Sequence, residues 1–233
     1  MLEVSIGDGA KNLEVMAAAR NYNGHLLRQV SRAMAGRRRI LDFGAGRGTF
    51  ALPMRDQGHE VVCVESEPLL RSVLAAEGLE VHASLTDIPN GSVDAAYTLN
   101  VLEHIRDDEE TLTQIYMKLA TGGRLYVYVP AFQMLYSAMD RDVGHVRRYR
   151  LAELVEKCCR SGFKVERAGY SDSLGFWASL AYRAAGPRDG RIPMKGLILY
   201  DTYLFPISCV LDTAFRHVFG KNAWVVASCD RAY

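Results

Sequence analysis

The chain has 233 residues, of which 49% are hydrophobic, so it can bury one substantial core and fits a single domain with an accessory segment. Its formal net charge of +1 argues against a general nucleic-acid-binding protein, because such proteins usually carry a marked basic excess. The five cysteines have no CxxC spacing, the N-terminus lacks a signal-peptide pattern, and the sequence has no run of about 18 uncharged apolar residues. We therefore expect a reduced, cytoplasmic protein without a transmembrane helix.

Residues 1–36 are expected to form an N-terminal helical cap made of two segments. The first segment is expected to stop at Asn21-Tyr22-Asn23-Gly24, because this composition is typical of a helix-breaking turn. The second segment carries apolar residues at helical spacing, namely Leu26, Leu27, Val30 and Met34.

A glycine-rich turn follows the first predicted strand. Residues 40–43 are mostly apolar, and glycines occupy every second position after them, at Gly44, Gly46 and Gly48. Such glycines let the backbone adopt positive φ angles and approach a ligand that a Cβ atom would push away. The dinucleotide fingerprint needs a further glycine where Thr49 stands, so the spacing disfavours nicotinamide-dependent chemistry. We expect the turn to hold another small molecule against its main chain.

The next two predicted strands are each followed by an acidic residue. Residues 60–65 are typical of a buried parallel strand, and Glu65 at its carboxyl end can accept hydrogen bonds from the hydroxyl groups of a ribose. Residues 79–83 predict a short third strand, and Asp87 lies in the loop after it. The alternatives are that Glu65 is simply an acid near the next helix start and that Asp87 shapes a turn before a proline.

Residues 92–100 and 124–130 are predicted to be the fourth and fifth strands. The four acidic residues at 107–110 suit a helix N-terminus. We expect them to interact favourably with the helix dipole rather than to bind a metal ion. Five strands alternating with helices indicate a doubly wound parallel sheet. Ligands bind such sheets at the carboxyl ends of the strands, which is where the acidic side chains are expected.

The segment 131–150, after the fifth strand, carries groups suited to acid-base chemistry. His145 and Tyr149 can each act as a base, and the arginines of this segment can bind an anion. The alternative is that His145 bonds the backbone to shape the loop, while the arginines pair with Asp140 and Asp142.

The C-terminal part is expected to add a helix from residue 151, a sixth strand at 164–170 and a seventh at 223–229. An apolar helical insertion, residues 174–221, separates the last two strands. Three roles remain open for this insertion: it covers the active site, it forms a dimer interface, or it contacts a membrane surface. Asp201 and Asp212 interrupt its apolar run, so it is not expected to span a bilayer.

Two motifs resemble the class I S-adenosylmethionine-dependent methyltransferases. Residues 42–48, Asp-Phe-Gly-Ala-Gly-Arg-Gly, resemble the first motif of that family. Residues 140–149 resemble an Asp-x-x-x-Gly-His-x-Arg-Arg-Tyr segment found in a bacterial branch of it. The resemblance implies an α/β, Rossmann-like fold with a seven-stranded, mostly parallel sheet, helices on both faces and a helical insertion before the last strand. One methyltransferase domain would cover residues 1–233.

The resemblance also implies roles for particular residues. S-adenosylmethionine would be bound by Tyr22, Asp42, Gly44, Ala45, Gly46, Gly48, Glu65, Ser66, Asp87, Ile88 and Asn100. Glu65 would contact the ribose, Asp87 the adenine amino group, and Tyr22 would close the pocket. The candidate bases are His145, Tyr149 and His104, and the candidate acceptor-binding residues are Tyr136, Arg147 and Arg148. No cluster of His, Cys or Asp has metal-ligand spacing, so a metal-free site is expected.

The expected activity is transfer of a methyl group from S-adenosylmethionine to an oxygen or nitrogen of a small-molecule acceptor, either apolar or lipid-linked, with S-adenosylhomocysteine as product. The alternative is a sensor or subunit that binds S-adenosylmethionine without transferring its methyl group. The expected partner is the small-molecule acceptor, a peripheral contact with a membrane surface stays open, and the chain would be a monomer or a homodimer.

Overall fold

A computed structural model describes residues 18–185 and 193–231. The chain forms two compact units. Of the described residues, the sheet unit comprises 27–129, 152–168 and 224–231, and the helical unit comprises 18–26, 130–151, 169–185 and 193–223. The first predicted segment of the N-terminal helical cap lies largely outside the described residues.

Seven strands form a single sheet, as the sequence predicts. They are β1 (Arg39–Phe43), β2 (Glu60–Val64), β3 (Glu80–His82), β4 (Val93–Leu99), β5 (Leu119–Pro130), β6 (Lys164–Ser171) and β7 (Asn222–Cys229). Their order in the sheet is β3-β2-β1-β4-β5-β7-β6, and β1 to β5 pair in parallel. The reversal of strand order between β1 and β4 creates the switch point at which open α/β sheets bind ligands.

Nine α-helices are described in residues 18–185 and 193–231. They are α1 (Arg20–Ala33), α2 (Ala51–Asp56), α3 (Pro68–Ala76), α4 (Asp108–Lys118), α5 (Ala138–Asp142), α6 (Leu151–Arg160), α7 (Ser173–Ala185), α8 (Met194–Leu199) and α9 (Phe205–Phe215). A π-helical turn, Tyr200–Leu204, joins α8 and α9 into one continuous helix. The insertion before the last strand is therefore helical, as expected.

The central strand β1 is buried because its neighbours are apolar. Leu41 pairs with Val62 of β2 and with Ala96 of β4, and these three side chains are fully buried. A parallel strand covered on both faces is expected to be apolar along its length rather than at alternate positions. Burial of β1 fixes the point at which the glycine-rich turn leaves the sheet.

The predicted helix stop at Asn21–Gly24 is wrong. One helix, α1, runs from Arg20 through this stretch to Ala33. Asp201 explains the difference, since its carboxylate accepts hydrogen bonds from the backbone N–H groups of Asn21 and Tyr22, both at 2.9 Å. The first backbone N–H groups of a helix have no hydrogen-bond partner inside the helix. A carboxylate from a distant part of the chain supplies that partner here, so a helix begins in a sequence that by itself favours a turn.

The fifth strand also begins earlier than its predicted first residue, Arg124. In β5, Leu119 pairs with Val93 and Arg124 pairs with Ala95, with a break in register between the two pairs. Gly122 lies in this break at a φ of +73°, a value that favours glycine. Gly122 therefore belongs to an irregular part of the strand.

The continuous helix Met194–Phe215 is long and apolar enough to cross a membrane, judged by length and composition alone. Its two acids point into the helical unit. Asp201 binds the start of α1, and Asp212 accepts hydrogen bonds from the backbone of Asp172 at 2.7 Å and of Ser173 at 2.8 Å. Between these acids, the exposed side of the helix is mostly apolar, with Thr202 as an exposed polar residue.

Candidate functional site

The glycine-rich turn is held against the end of β2 by its own backbone. The N–H groups of Gly44 and Ala45 both donate to the carbonyl oxygen of Val64, at 2.9 and 3.2 Å. Gly44, Gly46 and Gly48 all have positive φ angles, as their spacing suggested. The turn thus places bare main chain at the carboxyl ends of β1 and β2.

Two glycines of this turn differ in what surrounds them. A Cβ atom on Gly44 would lie 2.3 Å from the side chain of Val101, so this glycine is required by packing within the protein. A Cβ atom on Gly46 would meet no protein atom within 4 Å. Gly46 therefore borders open space, which a ligand can occupy in contact with the backbone.

Glu65 connects the glycine-rich turn to the loop after β2. Its Oε2 atom accepts a hydrogen bond from Gly46 N at 2.8 Å, and its Oε1 atom accepts one from Glu67 N at 2.9 Å. A carboxylate has about four acceptor positions, so these two bonds leave capacity for hydroxyl donors such as those of a ribose. Ser66, the next residue, is exposed.

Asp42 lies behind the turn, buried at the end of β1. The hydroxyl group of Tyr97 donates to its Oδ2 atom at 2.8 Å. Burial raises the pKa of Asp42 to about 7, although the Tyr97 hydrogen bond opposes the shift, and the nearby charge of Glu65 raises the pKa further. Tyr97 was not among the predicted site residues, because nothing near it in the sequence marks it as the partner of a carboxylate 55 positions away.

The remaining predicted cofactor residues follow β3 and β4. Asp87 is exposed, and its carboxylate accepts a hydrogen bond from Ser84 N at 3.2 Å, which caps a short 3-10 turn. Ile88, the next residue, is buried. Asn100 adopts a φ of +54° directly after β4, and its N–H group donates to Tyr128 O at 2.8 Å. Within the sheet unit, Asp42 thus lies in the last part of β1, while Glu65, Asp87 and Asn100 follow the neighbouring strands β2, β3 and β4.

The helical unit contains the predicted catalytic residue His145. Its Nδ1 atom lies 2.8 Å from Oδ1 of Asp140, a fully buried carboxylate. Arg148 binds the same carboxylate through Nε at 2.8 Å and Nη2 at 3.1 Å. Burial acts to raise the pKa of Asp140, but the His145 hydrogen bond and the charge and hydrogen bonds of Arg148 outweigh it and lower the pKa well below its usual range.

This arrangement orients the imidazole ring. When the ring is neutral, a carboxylate acceptor at Nδ1 favours the tautomer with its proton on Nδ1, which leaves Nε2 as the basic nitrogen. Asp140 was considered only as a partner for arginines, and its contact with His145 was missed. Arg148 is bound to Asp140, as the alternative interpretation of the sequence proposed.

The other predicted residues have different surroundings. Tyr149 is fully buried, and its backbone forms a bridge with Ala131. Tyr136 donates its hydroxyl proton to the carbonyl oxygen of His145 at 2.6 Å, and Arg147 is half-buried. His104 is exposed in the sheet unit, within a short turn after β4.

Tyr22 lies in the helical unit, apart from the other predicted cofactor residues, all of which lie in the sheet unit. It is buried in α1, with its ring centroid 5.4 Å from that of Phe205 in an edge-to-face contact.

The methyltransferase domain family matches residues 11–168, which is more than half of the chain. The chain belongs to this family. The seven-stranded, mostly parallel sheet with its helices is the fold of the class I S-adenosylmethionine-dependent methyltransferases.

Two proteins similar to this methyltransferase cover different parts of it. A probable S-adenosylmethionine-dependent methyltransferase of Mycolicibacterium smegmatis is 26% identical over 160 residues, which is 66% of this chain and 60% of that protein. The demethylmenaquinone methyltransferase of Thermus thermophilus is 35% identical over 101 residues, which is 39% of this chain and 46% of that protein. The chain therefore matches less than two thirds of the length of either relative.

A solved structure shares the fold over nearly all of the chain. It is a phosphoethanolamine N-methyltransferase of Haemonchus contortus in complex with phosphomonomethylethanolamine and S-adenosylhomocysteine. The TM-score is 0.64 at 15% identity, with 95% of this chain and 58% of that chain covered. At this level of identity the likeness establishes the fold alone.

S-adenosylmethionine is the cofactor of this methyltransferase family, and the sheet unit has the groups to hold it. Gly46 leaves open space beside its backbone, and Glu65 retains acceptor capacity next to it. Asp87 and Ile88 place an exposed carboxylate beside a buried apolar side chain, a combination that suits an aromatic base with an amino group.

Proposed function

We propose that this methyltransferase transfers the methyl group of S-adenosylmethionine to an oxygen or nitrogen of a small-molecule acceptor that is apolar or lipid-linked. The observation that carries the proposal is the contact of Glu65 with Gly46 in the open part of the glycine-rich turn. A backbone approach and a carboxylate acceptor beside it suit an adenosine, and the family membership supplies the reaction class.

The residues of this chain have few chemical tasks in such a reaction. When bound, S-adenosylmethionine supplies a methyl group already activated by its positively charged sulfur, so the protein mainly needs to align two reactants and exclude water. His145 is the group proposed to accept the acceptor's proton at Nε2. Asp140 keeps the ring in the required tautomer and stabilises the imidazolium that forms.

The cofactor part of the proposal is tested by calorimetry with S-adenosylhomocysteine. Glu65→Gln is expected to weaken binding about tenfold or more, because a neutral amide is a poorer acceptor for two hydroxyl groups. Glu67→Gln is the matched control, since it makes the same change two residues away at an exposed position. Equal affinity of wild-type protein and Glu65→Gln would remove Glu65 from the ribose site.

The transfer itself is tested with radiolabelled S-adenosylmethionine and a panel of aliphatic alcohols, amines and carboxylates. Release of S-adenosylhomocysteine only when an acceptor is present would support transfer. Tight cofactor binding without turnover on any acceptor would favour the alternative, a sensor or subunit that binds S-adenosylmethionine.

We also propose that the protein is cytoplasmic and contacts an anionic membrane surface through the helix Met194–Phe215. The exposed aliphatic and aromatic side chains of this helix are 37% to 68% accessible, and they are Met194, Ile198, Leu199, Tyr203, Leu204, Ile207, Val210 and Phe215. Basic residues flank them, with Lys195 near the start and Arg216 just after the end, both exposed. Because Asp201 and Asp212 point inward, the exposed face combines apolar area with positive charge, which suits anionic lipid.

A further inference from the structure

The helical unit contains a cavity of about 270 Å³, partly open to solvent, between α7, α8 and the segment after β5. Most of its walls are apolar, formed by Leu135, Met139 and Leu197 among others. Its polar groups include Arg148 and Lys221. A cavity with apolar walls and a few convergent polar groups is the usual form of a small-molecule site.

Lys221 is held rigidly beside this cavity. Its backbone N–H donates to Asp172 O at 2.9 Å, and its carbonyl oxygen accepts from Ala131 N at 2.8 Å. Among residues 18–185 and 193–231, no side chain forms a hydrogen bond or ion pair with its ammonium group. Burial lowers the pKa of Lys221, and the charge of Arg148 adds to that effect, while Asp172 and Asp140 oppose it.

The two carboxylates that oppose this shift are already bound to other groups. Asp172 accepts hydrogen bonds at one oxygen from Gly175 N at 3.0 Å, from Ser208 Oγ at 2.9 Å and from the hydroxyl group of Tyr200. The bond from Gly175 caps the start of α7, and all three bonds occupy the Oδ1 atom of Asp172.

Asp140 is likewise occupied. Arg148 binds both of its oxygens and His145 binds one, so its charge is balanced without Lys221. Lys221 is half-buried at the cavity wall, and an ammonium group without a hydrogen-bonded partner in this position can pair with the anionic group of a ligand.

We propose that this cavity binds a ligand with an aliphatic body and a single anionic head group, a carboxylate or a phosphate, with the head group paired to Lys221. The apolar walls would cover the aliphatic body, and the anion would supply the partner that the ammonium group lacks. This site is additional to methyl transfer and does not depend on it.

Calorimetry with four decyl compounds tests the proposal. Decanoate and decyl phosphate are expected to bind at least tenfold more tightly than decanol, and decylamine more weakly than decanol, because only the anions can pair with Lys221. Whichever of the two anions binds more tightly identifies the preferred head group as a carboxylate or a phosphate. Equal binding of decanol and both anions, or no binding of any of the four, would overturn the proposal.

Substitutions locate the bound anion. Lys221→Met is expected to weaken binding of the preferred anion at least tenfold and to leave decanol binding unchanged, whereas Lys195→Met, at an exposed position of α8, should change neither. Ser179→Leu, on the cavity wall, should weaken all four compounds because the added side chain fills the cavity. If Lys221→Met does not fold, Lys221→Arg should retain the preference for anions. Unchanged anion binding in folded Lys221→Met, or in Ser179→Leu, would place the ligand elsewhere and contradict the proposal.

Discussion

Two buried carboxylates show how much a side chain's surroundings decide its chemistry. Asp42 and Asp140 are both removed from water, yet their pKa values move in opposite directions. Asp42 has the Tyr97 hydroxyl group and the like charge of Glu65 near it but no positive charge as a partner, so burial dominates and raises its pKa. Asp140 has Arg148 and His145 within hydrogen-bonding distance, so pairing dominates and lowers its pKa.

The raised pKa of Asp42 predicts a dependence of stability on pH. Between about pH 4 and pH 7 the folded state retains a proton that the unfolded state has lost, so the stability from this group falls as pH rises and levels off above pH 7. The shift from 3.8 to about 7 corresponds to an upper value of about 4 kcal/mol. We expect the melting temperature of wild-type protein to fall relative to that of Asp42→Asn between pH 4.5 and pH 7.5. A constant difference between the two proteins would contradict a raised pKa.

His145 is predicted to act on the acceptor rather than on the cofactor. In His145→Gln the amide can still donate a hydrogen bond to Asp140, but it cannot accept a proton, so turnover should fall about 100-fold or more while affinity for S-adenosylhomocysteine stays unchanged. His217→Gln is the control, because His217 is exposed after α9. Retained turnover in His145→Gln, together with a lowered melting temperature, would show a purely structural role.

The starts of two helices depend on side chains that are distant in the sequence. The start of α1 depends on Asp201, and the start of α7 depends on Asp212, whose carboxylate binds the backbone of Asp172 and Ser173. Both acids belong to the helix Met194–Phe215, which therefore fixes two other helices through its inward side.

The glycine-rich turn permits a matched pair of substitutions. Gly46 and Gly58 both have positive φ angles, +57° and +93°, and neither has a protein atom within 4 Å of an added Cβ. Gly46→Ala and Gly58→Ala should therefore destabilise the fold by a similar amount, about 1 kcal/mol, because the strain is of the same kind.

Only Gly46→Ala is expected to weaken binding of S-adenosylhomocysteine, by about tenfold or more, since its methyl group would enter the space beside the turn. Calorimetry on both variants measures the difference. Equal affinity of the two variants would mean that the cofactor does not approach the backbone at Gly46.

At the scale of the whole molecule, the location of exposed apolar side chains is more informative about partners than the net charge. The formal net charge is only +1, so the overall charge of the protein does not favour one class of binding partner over another. The exposed apolar side chains, by contrast, are concentrated on the helix Met194–Phe215 of the helical unit. Binding to a surface is therefore expected to depend on one face of one helix.

Vesicle flotation tests the membrane contact. With vesicles of phosphatidylglycerol and phosphatidylcholine, the double variant Ile207→Glu and Val210→Glu is expected to bind about tenfold less than wild-type protein, because it places two charges in the apolar face. The control is Leu69→Glu with Val73→Glu, which alters two exposed aliphatic residues of α3 in the sheet unit. Binding that is equal in both double variants would contradict the contact. A wild-type dimer that dissociates only in the first variant would show a dimer face instead.

The sequence by itself determined the sheet, the glycine-rich turn and the positions of the acids after its strands. These features depend on short stretches: an apolar run that ends in alternate glycines, and acids that come shortly after strands. In a parallel sheet, the carboxyl ends of neighbouring strands meet at one edge, so local patterns were enough to predict that Gly46, Glu65 and Asp87 follow strands that end there.

Only the tertiary structure decided the surroundings of the buried charged groups. The start of α1 depends on a carboxylate 180 positions away from Asn21, and Asp42 has a partner 55 positions away in Tyr97. Lys221 and its position beside the cavity likewise follow from the packing of α7 and α8. Hydrogen bonds between residues so far apart have no periodicity along the chain, since they form only when folding brings the two groups within about 3 Å of each other.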